Sequence, residues 1–559
     1  MAFLMPVLVA TLAAASPLTQ FVPKQTLPSV PAGWTHHAAA PVDHTLNLHF
    51  RLKEENLDRL QQRLLQISDP DHIDYGKHMS KAEVDALTAP TKANVDAVQQ
   101  WLASHGINSG DVKSGYLQVT VNVDQAKKLL NADYAVYKEA GSGRQVVRTT
   151  SYSLPQNVHQ AITMVQPTTM FSDMGISSKA KKSNPSGHKL AAQPAAASIT
   201  SCNNGVDTQC LRDDYNIKGY TPTNKTTLGI AGFLEEVPSI TDLHNYIEEH
   251  DSDLPSNIQL PIKSINGGST SAGGQGEADL DAQITVPLTY PINNIYTSTG
   301  GRPPHNGGGT NDNEPYQEWL SYVIGLDSPP QTFTVSYGDD ETSVPSDYAD
   351  SVCSQFMKLG ARGVSILVAA GDSGAGGSSC SKFAPSFPAS CPWVTVVGGT
   401  NTAGTSEQAD TEGGSGFSNH FAQPTYQADA VNSYVKGLNG QFDGSYNKTG
   451  RAYPDVSALY RYYPVYHNGF EGSFRGTSAA TPATASVIAI LNDYLVNSGK
   501  APLGFLNPWL YKTGKNGFRD ITRGHNNVCG NKAAFPAKAG WDAATGFGVP
   551  DFGKLKSLV

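Results

Sequence analysis

Residues 472–482 read Gly-Ser-Phe-Arg-Gly-Thr-Ser-Ala-Ala-Thr-Pro, and a largely apolar run, 483–491, follows at once. The run predicts a buried helix and places Ser478 near its N-terminus. There the unpaired amides and the positive end of the helix dipole favour developing negative charge. Gly476, Ala479 and Ala480 put little bulk around the Ser478 hydroxyl, which suits an activated nucleophile. The plainer reading of such a serine is an N-cap before a core helix. The rest of the chain decides between the two.

Upstream, several segments read as buried strands ending in glycine: Leu228-Gly-Ile-Ala-Gly-Phe, Phe333-Thr-Val-Ser-Tyr-Gly, Val364-Ser-Ile-Leu-Val-Ala-Ala-Gly and Trp393-Val-Thr-Val-Val-Gly-Gly. Helical stretches at 277–286, 347–360 and 483–496 alternate with them. This order predicts an α/β domain, a parallel sheet flanked by helices on both faces. Functional side chains then belong on the loops past the strand C-termini.

Two further stretches carry acidic groups in suggestive places. In Gly276-Glu-Ala-Asp-Leu-Asp-Ala-Gln, a helix puts Glu277 and Asp281 one turn apart on one face, with Asp279 turned away. Like charges so close raise one pKa and leave the other group as a proton acceptor. The alternative is a solvated acidic helix face. In Ala369-Ala-Gly-Asp-Ser-Gly-Ala-Gly-Gly, Asp372 sits at the lip of the 364–371 strand. It is either a turn aspartate or, kept protonated beside a nucleophile, a hydrogen-bond donor to an oxyanion.

The 559 residues exceed one ordinary domain. Residues 1–195 carry 18 Lys/Arg against 15 Asp/Glu, and the remainder 22 against 34. An acidic C-terminal part argues against nucleic-acid binding. Residues 1–15 are apolar and end in small residues, as a secretory signal does. No later run reaches the ~18 residues of a membrane span, so an exported, soluble protein is expected. Six cysteines, all after residue 200, suit that compartment, with Cys202–Cys210 the readiest pair. Asn224-Lys-Thr and Asn447-Lys-Thr are glycosylation sequons.

Residues 45–175 read as a small α+β unit: a strand through Leu46, Leu48 and Phe50, a helix over 56–67, a capping box at Ser80, a helix over 92–105 and a strand over 116–121. Residues 177–199 are rich in Ser, Lys, Ala and Pro and read as a tether. Nine of the 15 histidines lie before residue 195. The bias reads first as histidines scattered over a surface; the other reading is that protonation of His36, His37, His72 and His78 loosens this unit from the rest in acid.

The strings around Glu277, Asp372 and Ser478, in this order, resemble the sedolisin family of serine-carboxyl peptidases. Asp350-Ser-Val-Cys-Ser-Gln-Phe-Met-Lys-Leu-Gly-Ala-Arg-Gly-Val-Ser points within it to fungal secreted tripeptidyl-peptidases. Ile67-Ser-Asp-Pro-Asp-His-Ile-Asp-Tyr-Gly-Lys-His and Val147-Arg-Thr-Thr-Ser-Tyr-Ser-Leu-Pro resemble the family's activation prodomain. The resemblance implies a subtilisin-like fold, with Ser478 as nucleophile, Glu277 as general base, Asp281 orienting Glu277 and Asp372 as oxyanion donor. It implies a signal peptide over 1–15, a prodomain with cleaved linker over 16–195 and a peptidase domain over 196–559, processed near 195–201. Implied partners are peptide and protein substrates and the chain's own prodomain as inhibitor or chaperone, in a monomer. Subtilases proper need a histidine in a His-Gly-Thr string, which is absent. A glycosidase would place its carboxyls about 5 Å or more apart across the substrate bond, and an inactive relative would lack a catalytic residue. Carboxyl groups in place of histidine imply activity peaking between about pH 3 and 5.

Phe518-Arg-Asp-Ile-Thr-Arg-Gly and Ala539-Gly-Trp-Asp-Ala-Ala-Thr-Gly-Phe-Gly offer carboxylates and turn carbonyls, which suit Ca2+. The resemblance maps a single structural calcium site onto Asp520, Asp542 and the carbonyls of Ile521 and Gly540. The family often has Gly where Lys538 stands. It also implies Cys380–Cys529 and Cys353–Cys391 disulfides.

Overall fold

The computed structural model describes residues 20–169, 171 and 202–559, apart from 31–33, 113–114, 140–144, 203–204, 235, 272–273, 301–314, 377–382, 404–405 and 529–531. The expected signal segment, the tether, the processing region and the Cys380–Cys529 pair fall outside these residues.

In the N-terminal unit, β1 (Thr45–Leu52) lies between β2 (Tyr116–Asn122) and β3 (Ile162–Gln166), antiparallel to both. Leu46, Leu48 and Phe50 alternate into the core, as a period of two requires. The expected helices are α1 (Leu57–Ser68), α2 (Lys81–Thr88) and α3 (Lys92–Ser104). The capping box is present: the Glu83 amide donates to Ser80 Oγ, and the Ser80 amide donates to Glu83 at 2.7 Å.

The C-terminal unit is built on a sheet of β4 (Thr227–Gly232), β5 (Ile262–Ile265), β6 (Asn293–Thr299), β7 (Thr332–Val335), β8 (Ser365–Ala369) and β9 (Thr395–Ala403), in the order β5-β6-β4-β7-β8-β9. These pairings are all parallel. Beyond them β9 pairs antiparallel with β10 (Ser406–Ala409) and parallel with β11 (Val456–Leu459). Strand β6 was not signalled by its sequence because its buried positions other than Tyr296 are polar: Asn294, Thr297, Ser298 and Thr299. Thr297 satisfies itself on the Ile230 carbonyl (2.8 Å), and Asn294 on Thr289 Oγ1 (2.8 Å).

One face of the sheet is covered by α4 (Ile240–His250), α5 (Gly276–Thr289) and α8 (Thr477–Asn497), with Leu280, Ile284, Ile488 and Leu491 in that core. The other is covered by α6 (Tyr316–Gly325) and α7 (Ser346–Ala361), through Trp319, Leu320 and Phe356. A hairpin of β12 (Tyr463–His467) and β13 (Phe470–Phe474) leads into α8. Helix α8 has 21 residues and is apolar enough to span a membrane, contrary to the expectation that no run reaches that length; it is a core helix, 89% buried in its apolar window. Disulfides join Cys202 to Cys210 and Cys353 to Cys391, as expected.

The two units share a packed seam. Leu60, Leu64 and Val84 meet Met357, Ala361 and Phe505. Arg51 and Lys358 both pair with the buried carboxylate of Glu54. The hydroxyl of Tyr116 meets Ser351 Oγ at 2.9 Å. The His78 ring enters the C-terminal unit, with Nε2 2.7 Å from the Pro502 carbonyl. A Cβ on Gly363 or Gly504 would stand 2.7 or 2.6 Å from that ring, so two glycines make its slot.

Candidate active site

Helix α8 begins at Thr477, six residues before the apolar run, so Ser478 is its second residue and Gly476 its N-cap. An N-cap serine is thereby excluded. Gly476 has φ 151°, and a Cβ there would come within 3.0 Å of Asp372 Oδ2; both facts demand glycine. Asp372, at the lip of β8, is buried and caps the helix from outside. Its Oδ1 accepts the Thr477 amide at 2.8 Å and Thr477 Oγ1 at 3.0 Å. Asp372 is thus held one residue from Ser478, itself fully buried. Pro482 stands at i+4 from Ser478 and has no N–H to offer. The Ser478 carbonyl is therefore left for a partner outside the helix, and Ser336 Oγ lies 3.4 Å from it.

The same Ser336 hydroxyl donates to Asp281 Oδ1 at 2.9 Å. Ser336 follows β7 at the sheet's C-terminal lip and bridges α5 to α8. Helix α5 packs along α8, and Glu277, Asp279 and Asp281 are all buried, so this is no solvated acidic face. Burial drives the Asp281 carboxyl well above the usual range, Glu236 adds like-charge repulsion, and the Ser336 bond pulls partly back. Since Ser336 occupies Oδ1, a proton on Asp281 belongs on the other oxygen. Burial first, then Glu236 and Tyr296, then Glu277 and Asp281 also raise the Tyr337 hydroxyl, placing these groups in one neighbourhood. Tyr337 Oη reaches Glu236 Oε2 at 3.3 Å.

A profile described as "Pro-kumamolisin, activation domain" matches residues 32–171, and a subtilase-family profile matches 295–502. The latter span includes Asp372 and Ser478 and begins after Glu277 and Asp281. The tripeptidyl-peptidase SED2 of Arthroderma otae is 34% identical over 99% of this chain and 98% of its own length. The tripeptidyl-peptidases SED4 of Arthroderma otae and sed4 of Aspergillus fumigatus are 36% and 35% identical, each over 96% of this chain and 94% and 96% of their own lengths. Pseudomonas sedolisin, a serine-carboxyl proteinase solved with pseudo-iodotyrostatin, shares the fold at TM-score 0.50 and 24% identity, covering 63% of this chain and 97% of that one. The chain belongs to the sedolisin family. It is a serine peptidase preceded by an activation prodomain.

Sequence reasoning on this sedolisin missed Ser336, Tyr337 and Glu236. The signal for the first two was present: they stand where a strand ending in Ser-Tyr-Gly meets the sheet's lip. Glu236 follows β4 by a few residues and shows no pattern of its own.

The loop carrying the expected calcium ligands is also assembled. Asp520 Oδ2 accepts the Gly540 amide at 2.8 Å, and Asp542 Oδ2 accepts the Lys538 amide at 2.8 Å, so both carboxyls converge on 538–540. Asp542 is fully enclosed, and burial pushes it up to about 7 against its backbone donors. Lys538 turns its ammonium away to the Gly437 carbonyl, 2.6 Å distant. Carboxylates beside loop carbonyls are the oxygen donors a hard cation takes, and here Asp542 Oδ1 accepts the Ala544 and Thr545 amides at 2.9 and 2.8 Å.

Proposed function

We propose that this sedolisin is a secreted, self-processing zymogen of an acid-acting serine-carboxyl peptidase that releases tripeptides from peptide N-termini. One observation supports the chemistry above all: the carboxyl of Asp281 and the backbone of Ser478 share the Ser336 hydroxyl. In this reading Ser478 Oγ attacks the scissile carbonyl while Glu277 takes its proton, with protonated Asp281 orienting Glu277. Asp372 donates its proton's hydrogen bond to the oxyanion. Glu277 then protonates the leaving amine and later activates the water that releases the acyl group. Tripeptide release is supported by the names of the relatives, and an acid endopeptidase is the alternative. The test is a long peptide with a free N-terminus beside its N-acetylated copy. Successive tripeptides from the free peptide alone are expected; equal internal cleavage of both would overturn exopeptidase action. Glycosylation belongs to the same proposal: Asn224 is exposed, whereas Asn447 Nδ2 donates to the Ser418 carbonyl at 2.8 Å.

The prodomain acts here as an inhibitor released by acid. Of the four histidines singled out by sequence, His36 and His37 are exposed, and His72 accepts the Asp74 amide within the prodomain. His78 alone among them is sealed in the seam described above. Burial lowers the His78 pKa, so its docking holds at neutral pH and weakens as pH falls below about 6.5. Asp347, pushed up to about 6 by burial near Lys24 and Gln25, works in the opposite sense. His78→Gln is expected to lower the pH of half-processing, while His36→Gln and His37→Gln leave it in place. An unmoved His78→Gln profile refutes the trigger.

Bound Ca2+ would be held by Asp520, Asp542 and the carbonyls of Ile521 and Gly540, neutralising the buried carboxylate of Asp542 and the exposed one of Asp520. Chelation is expected to lower Tm by about 5 °C. In Asp542→Ala, chelation then shifts nothing further. A wild-type Tm indifferent to chelator overturns the site.

A further inference from the structure

Helix α5 is polar on two opposite faces. Glu277 and Asp281 look towards Ser336 and α8. Asp279 and Gln283, also one turn apart, look the other way, onto the β12–β13 hairpin. Gln283 bonds the hairpin through both ends of its amide: Nε2 donates to the Tyr466 carbonyl and Oε1 accepts the Tyr466 amide, each at 2.8 Å. Asp279 is fully buried; its Oδ1 accepts the Ser239 amide at 2.7 Å and its Oδ2 meets His467 Nδ1 at 3.0 Å. The next two residues of the hairpin turn, Asn468 and Gly469, donate their amides to Asp242 on α4 at 3.0 and 2.8 Å. Nothing in the proposed chemistry uses this cluster.

The cluster joins the two helices that matter. From the turn, β13 runs through Arg475 and Gly476 directly to Ser478, while Asp279 stands two residues from Glu277. A shift of the hairpin would therefore move the Ser478 helix start against the Glu277 turn. The packing allows little slack. A Cβ on Gly274 would lie 2.8 Å from Asp279 Oδ2 and 3.1 Å from Asp242 Oδ2, so the chain closes over both carboxylates, and these stand within roughly 6 Å of each other.

We infer that Asp279 is a positioning residue: with Gln283 it docks the hairpin on α5 and so fixes Ser478 opposite Glu277, most firmly when Asp279 carries a proton. The inference rests on Ser478 and Glu277 being nucleophile and base. The groups that face Asp279 are Asp242 from α4 and His467 from the hairpin. On the hairpin's far side, Glu471 pairs with His250, which also approaches Asp207. With His467 neutral, its Nε2 accepts from Asn468 Nδ2 (2.9 Å) and its Nδ1–H points at Asp279. An ionised Asp279 then shares one enclosure with Asp242, and a proton on Asp279 relieves the repulsion. Burial, with Asp242 adding, pushes Asp279 up to about 6. A raised carboxyl stabilises the fold in acid and loses that contribution as pH climbs through about 6.

The test uses the full chain as expressed, self-processed wherever the variant cleaves itself. Asp279→Ala is expected to lower kcat at pH 4 about tenfold with KM within about twofold, since only the reacting pair is displaced. Asp279→Asn keeps the Ser239 acceptor and a partner for His467, and is expected to restore kcat. Its Tm should also gain on that of the wild type between pH 5 and 7, where Asp279 ionises. Gln283→Ala lowers kcat without changing that pH dependence. If Asp279→Ala has wild-type kcat and a lowered Tm, the residue is structural only and the inference falls. If Asp279→Ala does not fold, Asp279→Asn decides, and a Tm–pH curve parallel to the wild type overturns the role of the Asp279 proton. Ser478→Ala and Glu277→Gln run alongside: activity retained by them breaks the catalytic reading, whereas their inactivity beside an indifferent Asp279→Ala breaks this inference alone.

Discussion

Ser478→Ala is expected to accumulate as an uncleaved precursor and to lower kcat by about 10⁶, the loss seen when the nucleophile of a concerted set is removed. The size follows from what the hydroxyl does. In the proposed mechanism no acyl-enzyme forms without it, and the remaining groups can only bind substrate and polarise its carbonyl. The fold should be unaffected, because Ser478 does not cap α8; the cap acceptor for the Thr477 amide is Asp372. Intact mass of the purified chain and Tm measured on the same sample separate the two effects. A precursor that retains the prodomain, with a Tm no lower than that of the processed wild type and no peptidase activity at acid pH, is the expected result. Peptidase activity above about one thousandth of the wild type would remove Ser478 from the chemistry. Glu277→Gln is expected to lose about 10⁴, since the amide accepts no proton while filling the same space.

Much of this was legible in the sequence because it is local. Strands β4, β7, β8 and β9 announce themselves as apolar runs closed by glycine, and the Ser80 capping box is a four-residue pattern. The spacing of Glu277 and Asp281 is a property of one helix turn. What stayed hidden depends on partners far along the chain. Strand β6 buries Asn294 and Thr297, which read as surface residues until Thr289 and Ile230 supply their hydrogen bonds. Asp279 looked like a residue turned away from the site. It is turned away, but onto His467, 188 residues distant, and into the core. Ser336 lay inside a quoted strand, and only the sheet order places it between α5 and α8. The first residues of α8 were also unreadable as helix, since Gly476 and Pro482 speak against it. The structure reconciles both: the glycine is the cap, and the proline frees the Ser478 carbonyl towards Ser336.

Asp372→Asn is expected to separate the proposed acid requirement from the proposed catalytic one. Asp372 Oδ1 is committed to the Thr477 amide and hydroxyl. A proton available to an oxyanion must therefore reside on Oδ2, the atom that lies against Gly476. Asn can preserve the acceptor and place an N–H₂ where that proton would be, at every pH. If Asp372 is the oxyanion donor, the wild type loses activity towards neutrality as the carboxyl ionises and a donor becomes a repelling charge. The Asn variant should keep kcat/KM in acid within about tenfold of the wild type and hold it to about pH 7. Asp372→Ala, which removes both donor and cap, should fall by about 10² to 10³ at all pH values. The informative comparison is the alkaline limb of the kcat profile in the wild type and the Asn variant. An Asn variant whose limb coincides with that of the wild type assigns the limb to another group, and Asp372 is then a helix cap beside the nucleophile and nothing more. A limb that disappears places the titration on Asp372. The acid preference then follows from one oxygen that must carry a proton next to a serine whose base must not.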